Sequence, residues 1–393
     1  MPPCRSERSR AGWAAEGEEA APGYPGAAFH VGWSHEKLCA NCGLMKSLAP
    51  LVAVALVSCG APAARPAAPA PSASAASSST VSVVPATTAS ATAVEPAGPP
   101  ADVRCQARSC HVEGANEKTL AELAAAHADL GDLEIFGGHP KSLAPIGSLT
   151  KLYRLKLALC SGISDRDFAF AKSLSELADL ELSNCEPFTS LAPLGSLPKL
   201  ANVALVNTNL RSLDGLRGAP VQKLRVQSGV TDLTAISSMT GLTELVLADL
   251  DGVRELPSLA KLAKLERLDV STTDLARIPD LASLTSLRAL RVSHCAHLVE
   301  LKGLASLPSL AELTIDWSGT VDLAALGKLD HVTFLHLEGT KVKDLVPLAA
   351  WKSLGVVIVA DDTPPGQIAA LAKAKPSLRV TTAHQASLAT MGP

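Results

Sequence analysis

The chain has 393 residues, 47% of them hydrophobic but only 3% aromatic, so any core it builds is aliphatic. Its 35 Lys plus Arg are set against 38 Asp plus Glu, and a formal charge of −3 leaves no cationic surplus for neutralising phosphates, which excludes nucleic acid as the expected partner. A mean hydropathy of +0.22 is far from the low-hydrophobicity, high-charge regime of wholly disordered chains. Leu is sparse in roughly the first hundred residues and regular beyond Leu120, so one long folded unit behind an unfolded lead is expected.

Residues 1–44 are Gly- and Pro-rich and carry Glu16, Glu18 and Glu19, which does not suit the start of an export signal. They are read as an untranslated or disordered extension, with Met45 as the initiator. Within them His35, Cys39 and Cys42 could form half a zinc site, but no second ligand pair follows at finger spacing. From Met45 a single Lys46 precedes an apolar run, Leu48 to Val57, which is too short to cross a hydrocarbon layer of about 30 Å as a helix and fits a secretory h-region. Its end, Leu56-Val57-Ser58-Cys59, resembles the lipobox of bacterial lipoproteins. That resemblance implies a signal peptide over 45–58, acylation of Cys59, and a lipid anchor in the bacterial cell envelope, at the outer membrane. Residues 59–101, almost wholly Ala, Pro, Ser, Thr and Val, are expected to be a disordered tether.

An N-terminal cap is expected over 102–130. Cys105 and Cys110 lie ahead of the first repeat and, in an exported chain, read as a small disulfide. The Ala-rich stretch from Asn116 to Leu130 reads as a helix capped by Asn116, with Glu117 in its first turn.

Beyond it one pattern recurs about twelve times. Leu-x-Leu pairs fall at Leu133/Ile135, Leu155/Leu157, Leu180/Leu182, Val203/Leu205, Leu224/Val226, Leu245/Leu247, Leu268/Val270, Leu290/Val292, Leu313/Ile315, Leu335/Leu337, Val357/Val359 and Leu378/Val380. Successive starts are 21 to 25 residues apart, a solenoid period. Each pair reads as a short parallel strand with one set of side chains inward and the alternate set outward. Each inward Leu contributes about 1.5–3 kcal/mol once neighbouring turns cover it. Three residues after each pair comes a small side chain such as Cys160, Cys185, Thr208, Thr273, Cys295, Ser318 or Thr340, expected to turn inward as a ladder. The frame Leu-x-x-Leu-x-Leu-x-x-(Cys/Thr/Ser), with Asp344-Leu345-Val346-Pro347-Leu348 and its echo Ser190-Leu191-Ala192-Pro193-Leu194, resembles the short leucine-rich repeats of bacterial internalin-like proteins. The resemblance implies an α/β solenoid over 131–382 with a concave parallel β-sheet, short 3₁₀ or irregular convex segments and helical caps. Gln367 to Lys375 supplies the closing helix, and 383–393 is a tail.

No phosphate loop, nucleophile elbow or metalloprotease motif occurs, no cofactor is expected, and the chain reads as non-enzymatic. His294-Cys295-Ala296-His297 is metal-like in spacing, but the ladder turns Cys295 inward and His294 outward, so no metal site is expected there. On the outward positions Asp132 and Glu134, Arg154 and Lys156, and Asp179 and Glu181 bring opposite charges together on adjacent rungs. The same cancellation is expected for Lys223 and Arg225 beside Glu244, and for Arg267 and Arg291 near Asp269, Glu312 and Asp316. Toward the C-terminus Trp317, Phe334, His336, Val356 and Ile358, with Arg291 on the eighth rung, form the candidate binding surface. A tail over Thr382–Pro393 folding across that patch is the competing expectation. The expected function is that of a monomeric, membrane-anchored repeat lipoprotein binding a protein or glycan partner. The alternatives are a structural envelope protein binding a cell-wall polymer, or a cytoplasmic repeat scaffold with a zinc-binding N-terminus.

Overall fold

A computed structural model describes residues 101–159, 164–185, 188–298, 301 and 303–390. The His35/Cys39/Cys42 cluster, the signal segment, Cys59, the tether and the ladder residue Cys160 lie outside the described residues.

The strands that the Leu-x-Leu period predicts all form. They are β3 (Asp132–Gly138), β4 (Arg154–Ala158), β5 (Asp179–Ser183), β6 (Asn202–Val206), β7 (Lys223–Gln227), β8 (Glu244–Leu250), β9 (Arg267–Thr273), β10 (Ala289–Ser293), β11 (Glu312–Asp316), β13 (Phe334–Leu337), β15 (Val356–Val359) and β16 (Arg379–Thr382). In chain order they make one continuous parallel ribbon, preceded by an antiparallel hairpin of β1 (Asp102–Gln106) and β2 (Ser109–Ala115), fourteen strands in all. A second sheet pairs only β12 (Thr320–Val321) with β14 (Lys341–Val342).

Register follows the apolar pattern. Leu133 pairs with Leu155, Leu155 with Leu180, and so on to Leu335 with Val357, because a slip by one residue would turn each rung's apolar set to the outside. The last rung departs from the sequence frame. Val357 pairs with Val380 instead of Leu378, and Val359 with Thr382. Leu378 is buried ahead of the strand, as Leu354 is ahead of β15, so it acts as the lead-in leucine and not as the first strand residue.

The returns on the opposite side are short 3₁₀ turns, such as Ala144–Ser148, Ala192–Ser196 and Val346–Ala350, each with Pro in its first turn where a missing N–H costs nothing. The residue that opens most of the returns is Ser or Asp for a physical reason. Its side chain accepts a hydrogen bond from the N–H two residues on, as Ser142 does from Ala144 (3.1 Å), Asp232 from Thr234 (2.9 Å), Asp280 from Ala282 (2.9 Å) and Asp344 from Val346 (2.8 Å).

The predicted ladder is continuous across four successive repeats. Thr273 Oγ1 lies 3.3 Å from Cys295 Sγ, Cys295 N–H donates to Ser318 Oγ (3.3 Å), and Ser318 N–H donates to Thr340 Oγ1 (3.5 Å). The same hydroxyls donate onward to strand carbonyls, Ser318 to Asp316 O (3.0 Å) and Thr340 to Ile315 O (2.7 Å). Cys185 Sγ sits 3.5 Å from Leu157 O in an earlier rung. Burial pushes the Cys295 thiol above its ordinary range, which suits an inert core residue. Gly229 occupies the ladder place on β7's rung at φ +83°, where a Cβ would strike the carbonyl of Thr208, so only glycine fits.

Both ends are covered, as exposed strand edges and apolar faces require. At the start, Cys105 and Cys110 face each other across the β1–β2 hairpin and are joined by a disulfide, with a Cα separation of 4.1 Å. Helix α1 (Glu117–Ala126) follows, Asn116 Oδ1 accepting from Thr119 N–H at 3.0 Å. It buries Leu120, Leu123 and Ala124. At the other end come α2 (Pro365–Ala374), β16 and α3 (Ala383–Thr390). The segment expected to be a tail is thus helical as far as Thr390, and α3 packs on β15 and β16.

A candidate recognition surface on the outer face of the sheet

Because alternate strand residues point away from the core, the sheet's outer face is written in rows that run from rung to rung. Over the first rungs the middle row is a chain of ion pairs. His111 on β2 contacts Glu134 on β3 (3.0 Å), Lys156 on β4 contacts Glu134 (3.1 Å) and Glu181 on β5 (3.5 Å), and beside them Arg154 pairs with Asp132 (3.7 Å). Lys223 reaches Glu244 at 3.8 Å further along. These charges cancel as the sequence predicts, and at this exposure each pair is worth about 0–1 kcal/mol.

From β7 to β13 the same face changes character. The middle row reads Arg225, Val246, Asp269, Arg291, Thr314, His336, and the row beside it carries Ser271, Ser293 and Asp316 on β9 to β11. Asp316 is 8% exposed and Ser293 5%, although both lie on the outward positions of their strands. Arg291 and Asp269 are half-buried and Asp316 buried, so the charges expected to cancel here lie closer to the core than a solvated face would. Burial pushes the Asp269 carboxyl above the usual carboxylate range, and the hydrogen bond from Ser271 Oγ and the nearby Arg291 charge only partly offset it.

Five buried side-chain atoms on this face have no hydrogen-bond partner within the described residues: Arg225 Nε, Arg291 Nε, Ser293 Oγ, Asp316 Oδ1 and His336 Nε2. His336 Nε2 is within 3.3 Å of Glu338 Oε2, but not in hydrogen-bonding alignment. Leaving such groups unpaired costs about 1–3 kcal/mol each, so they are unmet polar demand concentrated on one stretch of sheet.

The apolar candidates are placed differently from expectation. Phe334, His336, Val356, Ile358 and Arg291 are half-buried, and of the candidates only Trp317 is exposed, at 52%. Phe334 and His336 meet edge to face with ring centres 6.4 Å apart. Trp317 does not join them, because it lies past the end of β11 in the left-handed conformation (φ +50°) and stacks flat on His294 with ring centres 5.9 Å apart. His294 and Cys295 are thereby separated, one in a surface stack and the other in the ladder. Among the described residues, the set of three potential ligand atoms that comes together is Cys105, Cys110 and His127, and its two sulfurs are already bonded to each other.

The sequence reading missed Asp269, Ser293 and Asp316 as a group with Arg225. A signal was present, since reading the outward strand positions down consecutive repeats brings together acids, bases and hydroxyls with few long exposed side chains among them.

A ribbon of twelve parallel strands, 3₁₀ returns and an inward ladder of small residues make this chain a leucine-rich repeat solenoid. No protein-family model and no curated protein matches it. Among solved structures it is similar to an internalin (InlF) of Listeria monocytogenes, 15% identical over 70% of this chain and 86% of that one, with a TM-score of 0.49. A leucine-rich repeat protein of Leptospira interrogans is 16% identical over 70% of this chain and 89% of its own, with a TM-score of 0.44. The functional domain of InlJ from Listeria monocytogenes, described as including a cysteine ladder, is 17% identical over 65% of this chain and 58% of its own, with a TM-score of 0.45. No helix of the described residues is long and apolar enough to cross a membrane.

Proposed function

We propose that the protein is a non-catalytic recognition scaffold, held at a bacterial outer envelope membrane through acylated Cys59 and binding a protein or glycan on the outer face of its sheet. The observation that carries the binding reading is the cluster of unpaired buried polar atoms on Arg225, Arg291, Ser293, Asp316 and His336. These atoms are themselves withdrawn from solvent, but Arg225, Arg291 and His336 are only half-buried, so a partner's amide groups or sugar hydroxyls can meet their accessible donors and re-seat the side chains that carry the unpaired atoms. Phe334, Val356 and Ile358 supply apolar area alongside, on strands whose backbone is already fixed, so little ordering entropy is lost on docking. The anchoring part rests on the Leu56-Val57-Ser58-Cys59 motif and the apolar run before it.

Immobilised full-length protein is exposed to solubilised envelope proteins and, separately, to peptidoglycan fragments, alongside the variants Arg291→Ala and Asp316→Asn. Retention of a component from either source that falls at least about tenfold with both variants supports the reading, since each removes one or more hydrogen bonds from the contact. Retention only of peptidoglycan assigns the glycan form of the proposal. Equal retention by wild type and both variants overturns the site. Labelled palmitate incorporation that persists in Cys59→Ala overturns the anchor.

A further inference from the structure

Where each strand ends, the chain turns its corner through one residue in the left-handed conformation. These corner residues are Leu159, Asn184, Asn207, Ser228, Asp249, Thr272, His294, Trp317 and Gly339. Apart from Leu159, the other corner side chains are small or polar, and a bulky indole at φ +50° is strained. Three features hold Trp317 in place nonetheless. Its ring lies parallel to His294 on one side, with an angle of 2° between the planes. On the next rung stands Gly339, where a Cβ would overlap indole carbons Cδ2, Cε2 and Cε3, so the ring lies where that corner's side chain would otherwise be. Beneath it Ser318 N–H donates to the buried hydroxyl of Thr340 (3.5 Å), which ties the two corners together.

The row then stops. On β15's rung the corner is Asp361 and Asp362, and α2 starts a few residues later, leaving a half-open pocket of about 410 Å³ that has Trp317 as an aromatic wall. Glu338, Asp361 and Asp362 line it against a single cation, Lys341. His384 N–H donates to Asp361 at 3.0 Å, which fixes that carboxylate at the rim and holds its pKa below the usual range. An aromatic face with an excess of carboxylates around it attracts cations twice over, through the ring quadrupole and through charge. A neutral sugar would use the ring but not the charge.

We propose that this ledge binds an organic ammonium group, carried either by a small free quaternary ammonium ion of the choline type or by a lysine side chain of a peptide. The site is separate from the outer face of the sheet, so it would act as a second, independent contact.

Calorimetric titration of the full-length protein with choline, with its neutral isostere 3,3-dimethyl-1-butanol, and with N-acetyl-lysine amide tests this. At least one of the two cations should bind saturably in the millimolar range and the neutral isostere at least about tenfold more weakly. Trp317→Ala and Asp362→Asn should each weaken the cation at least about threefold, Trp317→Phe should weaken it less than Trp317→Ala, and Arg291→Ala should leave it unchanged. Thermal midpoints equal to wild type show that the variants are folded, and both changed residues are exposed. Choline alone binding identifies a free quaternary ammonium ion as the source, and the lysine derivative alone identifies a peptide. The proposal is overturned if neither cation saturates, if the neutral isostere binds as well, or if Trp317→Ala changes nothing.

Discussion

Asp269 shows what the proposed recognition face costs in stability at a single residue. Its carboxyl is buried between β8 and β10 and held by Ser271, and its pKa is raised because burial penalises the charged form. A raised carboxylate pKa means the folded state binds its proton more readily than the unfolded state, so Asp269 subtracts from stability at neutral pH. The loss is recovered as pH falls through the folded value. Asp269→Asn removes the ionisable group, keeps an acceptor for Ser271, and should raise the melting temperature at pH 7 by about 1–3 °C while flattening the gain seen on mild acidification. A melting series from pH 4 to 8 checks both parts, and a variant that melts lower at pH 7 would show that the carboxylate is stabilised by Arg291 more than burial penalises it. A penalised carboxylate on the proposed recognition face fits the trade between stability and binding commonly seen at sites with unmet polar groups.

Among elements, the N-terminal hairpin is the one whose stability should follow pH on both sides. His111 on β2 sits between Glu113 (3.2 Å) and Glu134 (3.0 Å), and the hydrogen bond with Glu134 raises its pKa despite some burial. Burial alone would raise Glu134, but hydrogen bonds with His111 and Lys156 outweigh it and leave its carboxyl below the usual range. The histidine's contribution is present below its ordinary value of about 6.5 and lost as pH rises through the folded value. Glutamate's is present above about 4.3 and lost as pH falls through its own folded value. Hydrogen-exchange protection of β1 and β2 should therefore peak between about pH 4.5 and 6.5, by less than about 1 kcal/mol because both groups are part-exposed, and His111→Ala should remove the alkaline limb. An unaltered limb in that variant would assign it to another group. The cap also marks how far the sequence could be read. Helix α1 was legible because its signals are local: Asn116 caps it, Glu117 opens it and Leu120 and Leu123 share a face. The strands β1 and β2 were not, since their residues fall outside the solenoid period and only the disulfide position hinted that they are neighbours. Proline and the Ser or Asp before it announced the 3₁₀ returns. The slip at β16 was hidden because Leu378 satisfies the pattern while serving as a lead-in residue. The polar cluster on β9 to β11 was least legible of all, because whether Asp316 or Ser293 meets water depends on side chains from two neighbouring rungs.

The molecule as a whole is a stack in which each rung touches mainly the rungs before and after it, as the pairing order of the sheet shows. Energy in such a stack is close to a sum of repeat and neighbour terms, so damage should stay local until the broken rung separates two halves. Leu290 is a suitable probe because its side chain is 1% exposed and its partners Leu268 and Leu313 are buried with it. Leu290→Ala removes buried methyl groups and leaves a cavity, at a cost of about 2–5 kcal/mol. In a globular two-state domain that cost would lower protection of every core amide together. Here exchange should quicken most in β9, β10 and β11, less in β8 and β13, and little in β3 or β16. The same rungs carry Asp269, Arg291 and Asp316, so partner binding at the outer face should fall in step with the local loss, while the hairpin and α1 keep their wild-type protection. Hydrogen exchange followed by mass spectrometry reads this directly. Uniform loss across all twelve rungs would mean that the spine unfolds as one cooperative unit, with the two caps coupled through every repeat between them.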